Sequence, residues 1–264
     1  RVQGSLTVGL IMVPRRDFLT CTRTDAAAEV KRRNAANFSF LPVVEGQDRV
    51  IGLYNAERWF DADPPETPVG SDFLPLSEDI VIGADASIFD FIRKADEVST
   101  KLVVSGDGVA GLVSLSDIQQ LPVRAALFAL VTSLEMAMSL AIERRWPNPE
   151  DWMACLSDGR RTKLAEEIAK ARQQDGFVSE IAFTQISDKA DLVCKGGLLS
   201  GSRRARAREF VTIRDLRDNL AHANSYADTP EEAKRVCQIV RSVYQLKDEL
   251  LKVIEDQVAV AGGG

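Results

Sequence analysis

The chain repeats itself. Leu41-Pro42-Val43-Val44-Glu45-Gly46 aligns with Lys101-Leu102-Val103-Val104-Ser105-Gly106, and Val50-Ile51-Gly52-Leu53 aligns with Val109-Ala110-Gly111-Leu112. Thr24-Asp25 aligns with Ala84-Asp85, so the offset is about sixty residues throughout, with one residue deleted from the second hairpin. A fixed period of this kind means two copies of one supersecondary unit packed together. Short β-branched runs bounded by Gly, Asp or Pro predict strands at Ser39–Val44, Val50–Tyr54, Asp79–Ile82, Lys101–Ser105 and Val109–Ser114. Helical patterns follow Thr24-Asp25 and Ala84-Asp85; in the second, Ile88, Phe91, Ile92 and Ala95 fall at helical spacing. Asp61–Ser71, rich in Asp and Pro, reads as the linker between copies.

From Gln119 onward the pattern turns helical. Val123–Trp146 is apolar nearly all round, which marks a central or interface helix, and Pro147-Asn148-Pro149 ends it. Helices are predicted over Glu150–Leu156, Arg160–Gln173 (N-capped by Asp158 and closed by Gly176), Ser179–Cys194 and Arg208–Ala223, with a loop at Gly196–Ser202. Thr229-Pro230-Glu231-Glu232 opens a last amphipathic helix to about Val258, and the tail from Ala259 reads as a loose end. The fold class expected is α+β: a mixed module over residues 1–119, then an all-α antiparallel bundle over 120–264.

Composition limits the chemistry. A chain of 264 residues with 45% hydrophobic and 27% charged residues is globular, and its net charge of −6 leaves nucleic-acid affinity to local patches. Cys21, Cys155, Cys194 and Cys237 show no C-x-x-C spacing, and with a single histidine no metal site can be assembled. Dispersed cysteines suit a reducing compartment, so the expected location is cytoplasmic. No secretory signal is read, and since Arg1 is no initiator an upstream segment is left open. Ala125–Ile142 approaches the length of a membrane span, but Glu135 and its Ser/Thr residues favour a buried bundle or dimer helix over a membrane one.

Gly111-Leu112-Val113-Ser114-Leu115-Ser116-Asp117 matches the Gly-hydrophobic-x-Thr/Ser-x-x-Asp motif of CBS domains. Residues 8–119 as a whole resemble a tandem CBS pair of βαββα-type units. The resemblance implies an adenine nucleotide such as AMP or ATP as regulatory ligand, with Ser114 on phosphate and Asp117 on the ribose hydroxyls. A carboxylate suits a cis-diol and a hydroxyl at a helix start suits an anion. The plainer reading is that Ser114 and Asp117 cap a helix. The first copy has Asn55 and Arg58 at the two positions, so it reads as structural.

Arg214-Asp215-Leu216-Arg217-Asp218-Asn219-Leu220-Ala221-His222 contains the only histidine. Arg217, a polar residue after it and His222 four residues beyond that resemble the signature of HEPN domains, helical bundles that often act as metal-independent ribonucleases. What this implies is RNA cleavage by 2′-hydroxyl attack, His222 moving protons and Arg217 stabilising the phosphate, with no cofactor required for catalysis. Five helical positions rotate by about 140°, so Arg217 and His222 do not share a face, whereas Asp218 and His222 do. Asp218 is therefore a candidate to orient the imidazole, and a composite site in a homodimer is implied. The plainer reading is a surface Asp218–His222 pair and a solvated Arg217.

Arg203, Arg204, Arg206 and Arg208 precede the motif helix and Arg214 lies within it, a local basic cluster that makes RNA a candidate partner. The function expected is a nucleotide-regulated endoribonuclease of the defence or toxin type, which would bring a partner or antitoxin protein. The alternative is a non-catalytic nucleotide-sensing module for interaction and dimerisation.

Overall fold

Pro14 lies opposite Gly111 and Pro75 opposite Gly52, and these two pairings organise the N-terminal half. The computed structural model describes residues 6–174 and 179–261. It divides into two units, Arg1–Val123 and Arg124–Gly264.

The first unit contains strands β1 (Val13–Pro14), β2 (Cys21–Thr22), β3 (Phe40–Glu45), β4 (Arg49–Asn55), β5 (Leu74–Pro75), β6 (Val81–Gly83), β7 (Thr100–Ser105) and β8 (Gly108–Ser114). Helix α1 (Ala27–Arg33) follows β2 and α2 (Ile88–Ile92) follows β6. Each copy is thus β-α-β-β, with a parallel first pair and an antiparallel hairpin. Both hairpins slip register at the same place, between Val43 and Val44 and between Val103 and Val104. The deletion falls in the turn: Glu45 pairs with Arg49 in the first copy, Ser105 with Gly108 in the second. The strand expected from Asp79 starts only at Val81, because Glu78–Ile80 forms a 3-10 turn.

The sheets exchange strands. β1 precedes the first copy yet pairs with β8 of the second, and β5 precedes the second copy yet pairs with β4 of the first. The sheet orders are β2-β3-β4-β5 and β1-β8-β7-β6. The exchange extends into the loops. Val8 and Gly9 donate to the carbonyls of Ala86 and Ala84, both at 2.9 Å, while Val69 and Gly70 donate to those of Asp25 and Arg23 at 2.9 and 2.8 Å. The stretch read as a linker is therefore built into the first copy from Thr67 on, and Val69 is buried in its core. Gly52 and Gly111 permit the crossing. A Cβ on Gly111 would stand 2.7 Å from the Val13 carbonyl oxygen, and one on Gly52 would strike that of Leu74. Val50, Leu53, Ile80 and Leu102, drawn from both copies, form one shared apolar cluster.

The second unit comprises α3 (Leu121–Arg145) from Arg124 on, α4 (Pro149–Met153), α5 (Asp158–Gln173), α6 (Ile186–Lys195), α7 (Arg203–Ala221) and α8 (Pro230–Ala261). Several boundaries differ from the sequence reading. Ser157, not Asp158, is the N-cap of α5. The expected Ser179–Cys194 helix breaks at Thr184-Gln185, where a reciprocal Gln185–Asp188 capping box starts α6 afresh. The arginine cluster forms the first turns of α7 and does not precede it, since alternating Ala and Arg are good helix formers. Gly176 and Gly262–Gly264 lie outside the described residues, and the tail expected to be loose from Ala259 is helical to Ala261. Thr229 and Glu232 form the expected capping box, Glu232 Oε2 accepting from the Thr229 N–H at 3.0 Å and Thr229 Oγ1 from the Glu232 N–H at 3.2 Å.

Arg206 meets Glu249, so α7 and α8 run antiparallel. Lys247 meets Ser133 and Arg144 meets Ile254, so α3 and α8 run the same way and the bundle is not antiparallel throughout. Leu127, Leu130, Leu134, Met138 and Ile142 of α3 are buried. The opposite stripe is not: Met136 is 68% exposed, Phe128 42% and Leu140 41%. Its hydroxyls are turned inward along the helix, Thr132 donating to the Phe128 carbonyl at 2.9 Å and Ser139 to that of Glu135 at 3.0 Å. By length and composition α3 could cross a bilayer, though half of its most apolar stretch is buried.

Candidate functional site

Three places carry the residues singled out by the sequence. The first is the turn after β8. Asp117 is only 8% exposed, and its Oδ2 accepts from the Ser114 N–H at 2.6 Å and the Ser114 hydroxyl at 3.0 Å. Its Oδ1 accepts from the Gln120 amide at 2.8 Å, and the same nitrogen donates to the Ile11 carbonyl at 2.8 Å. Burial pushes this carboxyl above its ordinary range, against the hydrogen bonds from Ser114 and Gln120. Ser114 and Asp117 thus form a closed capping box, and a ribose diol would have to displace these donors. In the first copy Arg58 pairs with Asp72 and donates to the Asn55 carbonyl at 3.2 Å, so its guanidinium is tied down.

The second place is a cleft of about 790 Å³ between the two hairpins. Val50 and Ile51 of β4, Val104 and Val109 of the other hairpin, Val81 and Leu76 line it, together with Arg15, Arg49, Ser77 and Asp107. Arg15 holds the hairpins together, donating to the Val109 carbonyl at 3.4 Å and to that of Asp48. Sequence reading missed this site because Arg15 and Arg49 are thirty-four residues apart and belong to no motif. The exchanged strands bring them to one cleft.

The third place is α7. Arg217 pairs with Asp218 at 3.1 Å and lies 3.6 Å from Glu135 of α3. Glu135 is also 4.0 Å from Lys189, a buried side chain that donates to the Thr184 carbonyl at 3.0 Å. Burial pulls the Lys189 amine below its usual range, with Glu135 and Asp188 opposing and Arg217 reinforcing. Glu135, unwelcome in a bilayer, is here the shared counter-ion of two cations. His222 is exposed and is the C-cap of α7, its N–H donating to the Asp218 carbonyl at 3.0 Å. Among the described residues no hydrogen bond joins the Asp218 carboxylate to the imidazole.

The arginine cluster is not uniform. Arg206 is fixed between Glu209, at 2.9 Å, and Glu249, and donates to the Ser200 carbonyl at 2.9 Å. Arg203, Arg204 and Arg208 are exposed. Arg214 pairs with Asp215 at 2.9 Å and, with Arg203, edges a groove of about 230 Å³ between α6 and α7 that Asp191, Cys194 and Phe210 also line. No group of three or more His, Cys, Asp or Glu residues suited to a metal ion occurs among the described residues.

No family model matches the sequence, and no curated protein does. Solved structures do resemble it. The CBS domain of a bacterial CNNM/CorC family Mg2+ transporter in complex with ATP shares 20% identity at a TM-score of 0.37, covering 44% of this chain and 86% of its own. A hemolysin-like CBS-domain protein of Oenococcus oeni PSU shares 13% identity at a TM-score of 0.35, over 42% of this chain and 86% of its own. CBSX2 in complex with AMP shares 19% at 0.36, over 46% of this chain and 96% of its own. Similarity of this degree transfers no activity.

Proposed function

We propose that the N-terminal repeat pair is an adenine-nucleotide sensor and that the helical unit is its effector, a metal-independent endoribonuclease of defence or toxin type acting through Arg217 and His222. The observation that carries the sensor is the hairpin cleft. Its apolar lining residues suit a base, and Arg15 and Arg49 beside them suit a phosphate, which a planar guanidinium can bind through two N–H groups. The Gly111–Asp117 motif supports the same ligand by resemblance. In the effector, a ribose 2′-hydroxyl gives its proton to His222 and attacks the neighbouring phosphorus. The bond to the 5′-oxygen of the next nucleotide breaks, and that oxygen takes a proton from the imidazolium or water. A 2′,3′-cyclic phosphate and a 5′-hydroxyl result, with Arg217 turning from its carboxylates to the phosphate as charge develops. Arg203, Arg204, Arg208 and Arg214 draw the RNA backbone along α7. The uncharged exposed stripe of α3 supports pairing with a second copy. An antitoxin-like partner protein belongs to this reading.

A second reading is favoured by one observation: Arg217 is already neutralised by Glu135 and Asp218. On that reading the helical unit is a non-catalytic docking or dimerisation platform whose state the nucleotide sets.

The deciding experiment is cleavage of a mixed RNA pool in EDTA, with and without AMP and ATP, by wild type, Arg217→Ala and His222→Ala. Cleavage lost in both variants supports the ribonuclease, and an intact pool with wild type selects the second reading. Melting of wild type and Arg49→Ala with added AMP or ATP tests the sensor; no nucleotide-dependent rise in Tm for wild type rejects it.

A further inference from the structure

α7 ends in a way its sequence does not favour. Ala223 adopts φ 56°, the left-handed region where glycine is the ordinary occupant after a helix. The Asn224 N–H reaches back to the Asn219 carbonyl at 2.9 Å, closing the turn and leaving His222 as the C-cap. Within residues 219–225 that single hydrogen bond closes the turn. A second hold on it comes from α3.

Arg124 lays its guanidinium across the end of α7. Its Nη1 donates to the carbonyls of Asn219 at 3.0 Å and Leu220 at 3.2 Å, and its Nη2 to that of Asn224 at 2.6 Å. Its carbon centre stands 4.8 Å from the centroid of the buried Tyr226 ring. The cation therefore grips backbone two residues before His222 and two residues after it. A positive charge at a helix C-terminus is favourable, and the planar guanidinium holds two separate nitrogens in a fixed fork, so that Nη1 and Nη2 reach carbonyls on either side of the turn.

We propose that Arg124 is the positioning residue for His222: it holds the left-handed turn at Ala223 and so fixes where the imidazole leaves the helix. Its importance to catalysis rests on the ribonuclease reading above; its hold on His222 does not. A Lys at this position keeps the charge but not the fork. A glycine at 223 removes the need for restraint without restoring it.

The test uses the fact that His222 is the only histidine, so its imidazole gives one isolated set of NMR signals. These are compared in the full chain for wild type, Arg124→Gln, Arg124→Lys and the double variant Arg124→Gln with Ala223→Gly, which keeps the helix end formed if the single variant fails to fold. The signals are expected to shift or broaden in all three variants, with no rescue by lysine. RNA cleavage is expected to lose about 10- to 100-fold in kcat with KM nearly unchanged, the penalty for a misplaced catalytic group. Wild-type imidazole signals in a folded Arg124→Gln protein would overturn the proposal. If wild type leaves RNA intact, the ribonuclease reading fails, and the NMR comparison alone decides whether Arg124 holds His222.

Discussion

Asp218 pairs with Arg217, its neighbour in the chain, and not with His222 one turn further on; the Arg217 Nη1 to Asp218 Oδ1 distance is 3.1 Å. The carboxylate that could have oriented the imidazole instead offsets the charge of the guanidinium. Asp218→Asn is therefore expected to leave RNA cleavage within about threefold of wild type, while Arg217→Ala and His222→Ala lose about 100-fold or more. Initial rates in EDTA check this, and a loss in Asp218→Asn as deep as in His222→Ala would return Asp218 to the imidazole.

The arginines at the start of α7 divide into two kinds. Arg206 is held by two carboxylates and a carbonyl, so Arg206→Ala should destabilise the fold by about 1–3 kcal/mol, seen in urea unfolding, with little change in the salt dependence of RNA binding. Arg203→Ala, Arg204→Ala and Arg208→Ala should leave the urea midpoint in place. Each should instead reduce the slope of log K against log salt by roughly one.

Gly52 and Gly111 occupy equivalent places in the two sheets, each beneath an exchanged strand. Gly52→Ala and Gly111→Ala should each cost about 2–4 kcal/mol, since the new methyl meets backbone that cannot move aside. Gly46→Ala would meet no atom within 4 Å, but at φ +62° it strains the turn. It should cost about 1–2 kcal/mol. Thermal melting of the three variants tests the ranking.

Burial pushes the Cys21 thiol from 9.0 up to about 12, with Asp25 adding to the effect and Arg33 opposing it. Folding therefore favours the protonated thiol. Its contribution to stability is full below about pH 9, the unfolded value, and is lost as pH rises through the folded value. With a thiol-specific reagent at pH 8, Cys21 should react only on unfolding, while the partly exposed Cys155 and Cys194 react in the native protein. Native labelling of Cys21, located by peptide mapping, would contradict this.

If the α3 stripe joins two copies, Phe128→Glu with Met136→Glu should convert a dimer of about twice 29.0 kDa into a monomer without altering the circular dichroism spectrum. Sedimentation of both proteins decides it. A wild type that sediments as a monomer at high concentration removes the homodimer from the proposed function.

The repeat was readable because each hairpin is coded locally: a β-branched run, a turn, a second run. The exchange of β1 and β5 was not, because two-residue strands such as Val13–Pro14 and Leu74–Pro75 carry no periodicity. The motif on α7 was visible as residue types, but its electrostatics were not. Glu135, Lys189 and Arg124 lie far from residues 217–222 in the chain and reach them only through helix packing. The Ser114–Asp117 motif shows the opposite limit, where residues matching a ligand-binding pattern satisfy one another.

The crossing of β1 and β5 makes each copy depend on the other for a closed edge. A single copy made alone would have its own leading segment on the wrong sheet and one open edge, which exposes unpaired backbone. It could complete itself only by trading that segment with a second molecule. Holding both copies in one polypeptide makes that exchange independent of concentration. Neither sheet can therefore lose its borrowed edge: Val13–Pro14 completes the sheet of β6, β7 and β8, and Leu74–Pro75 completes that of β2, β3 and β4.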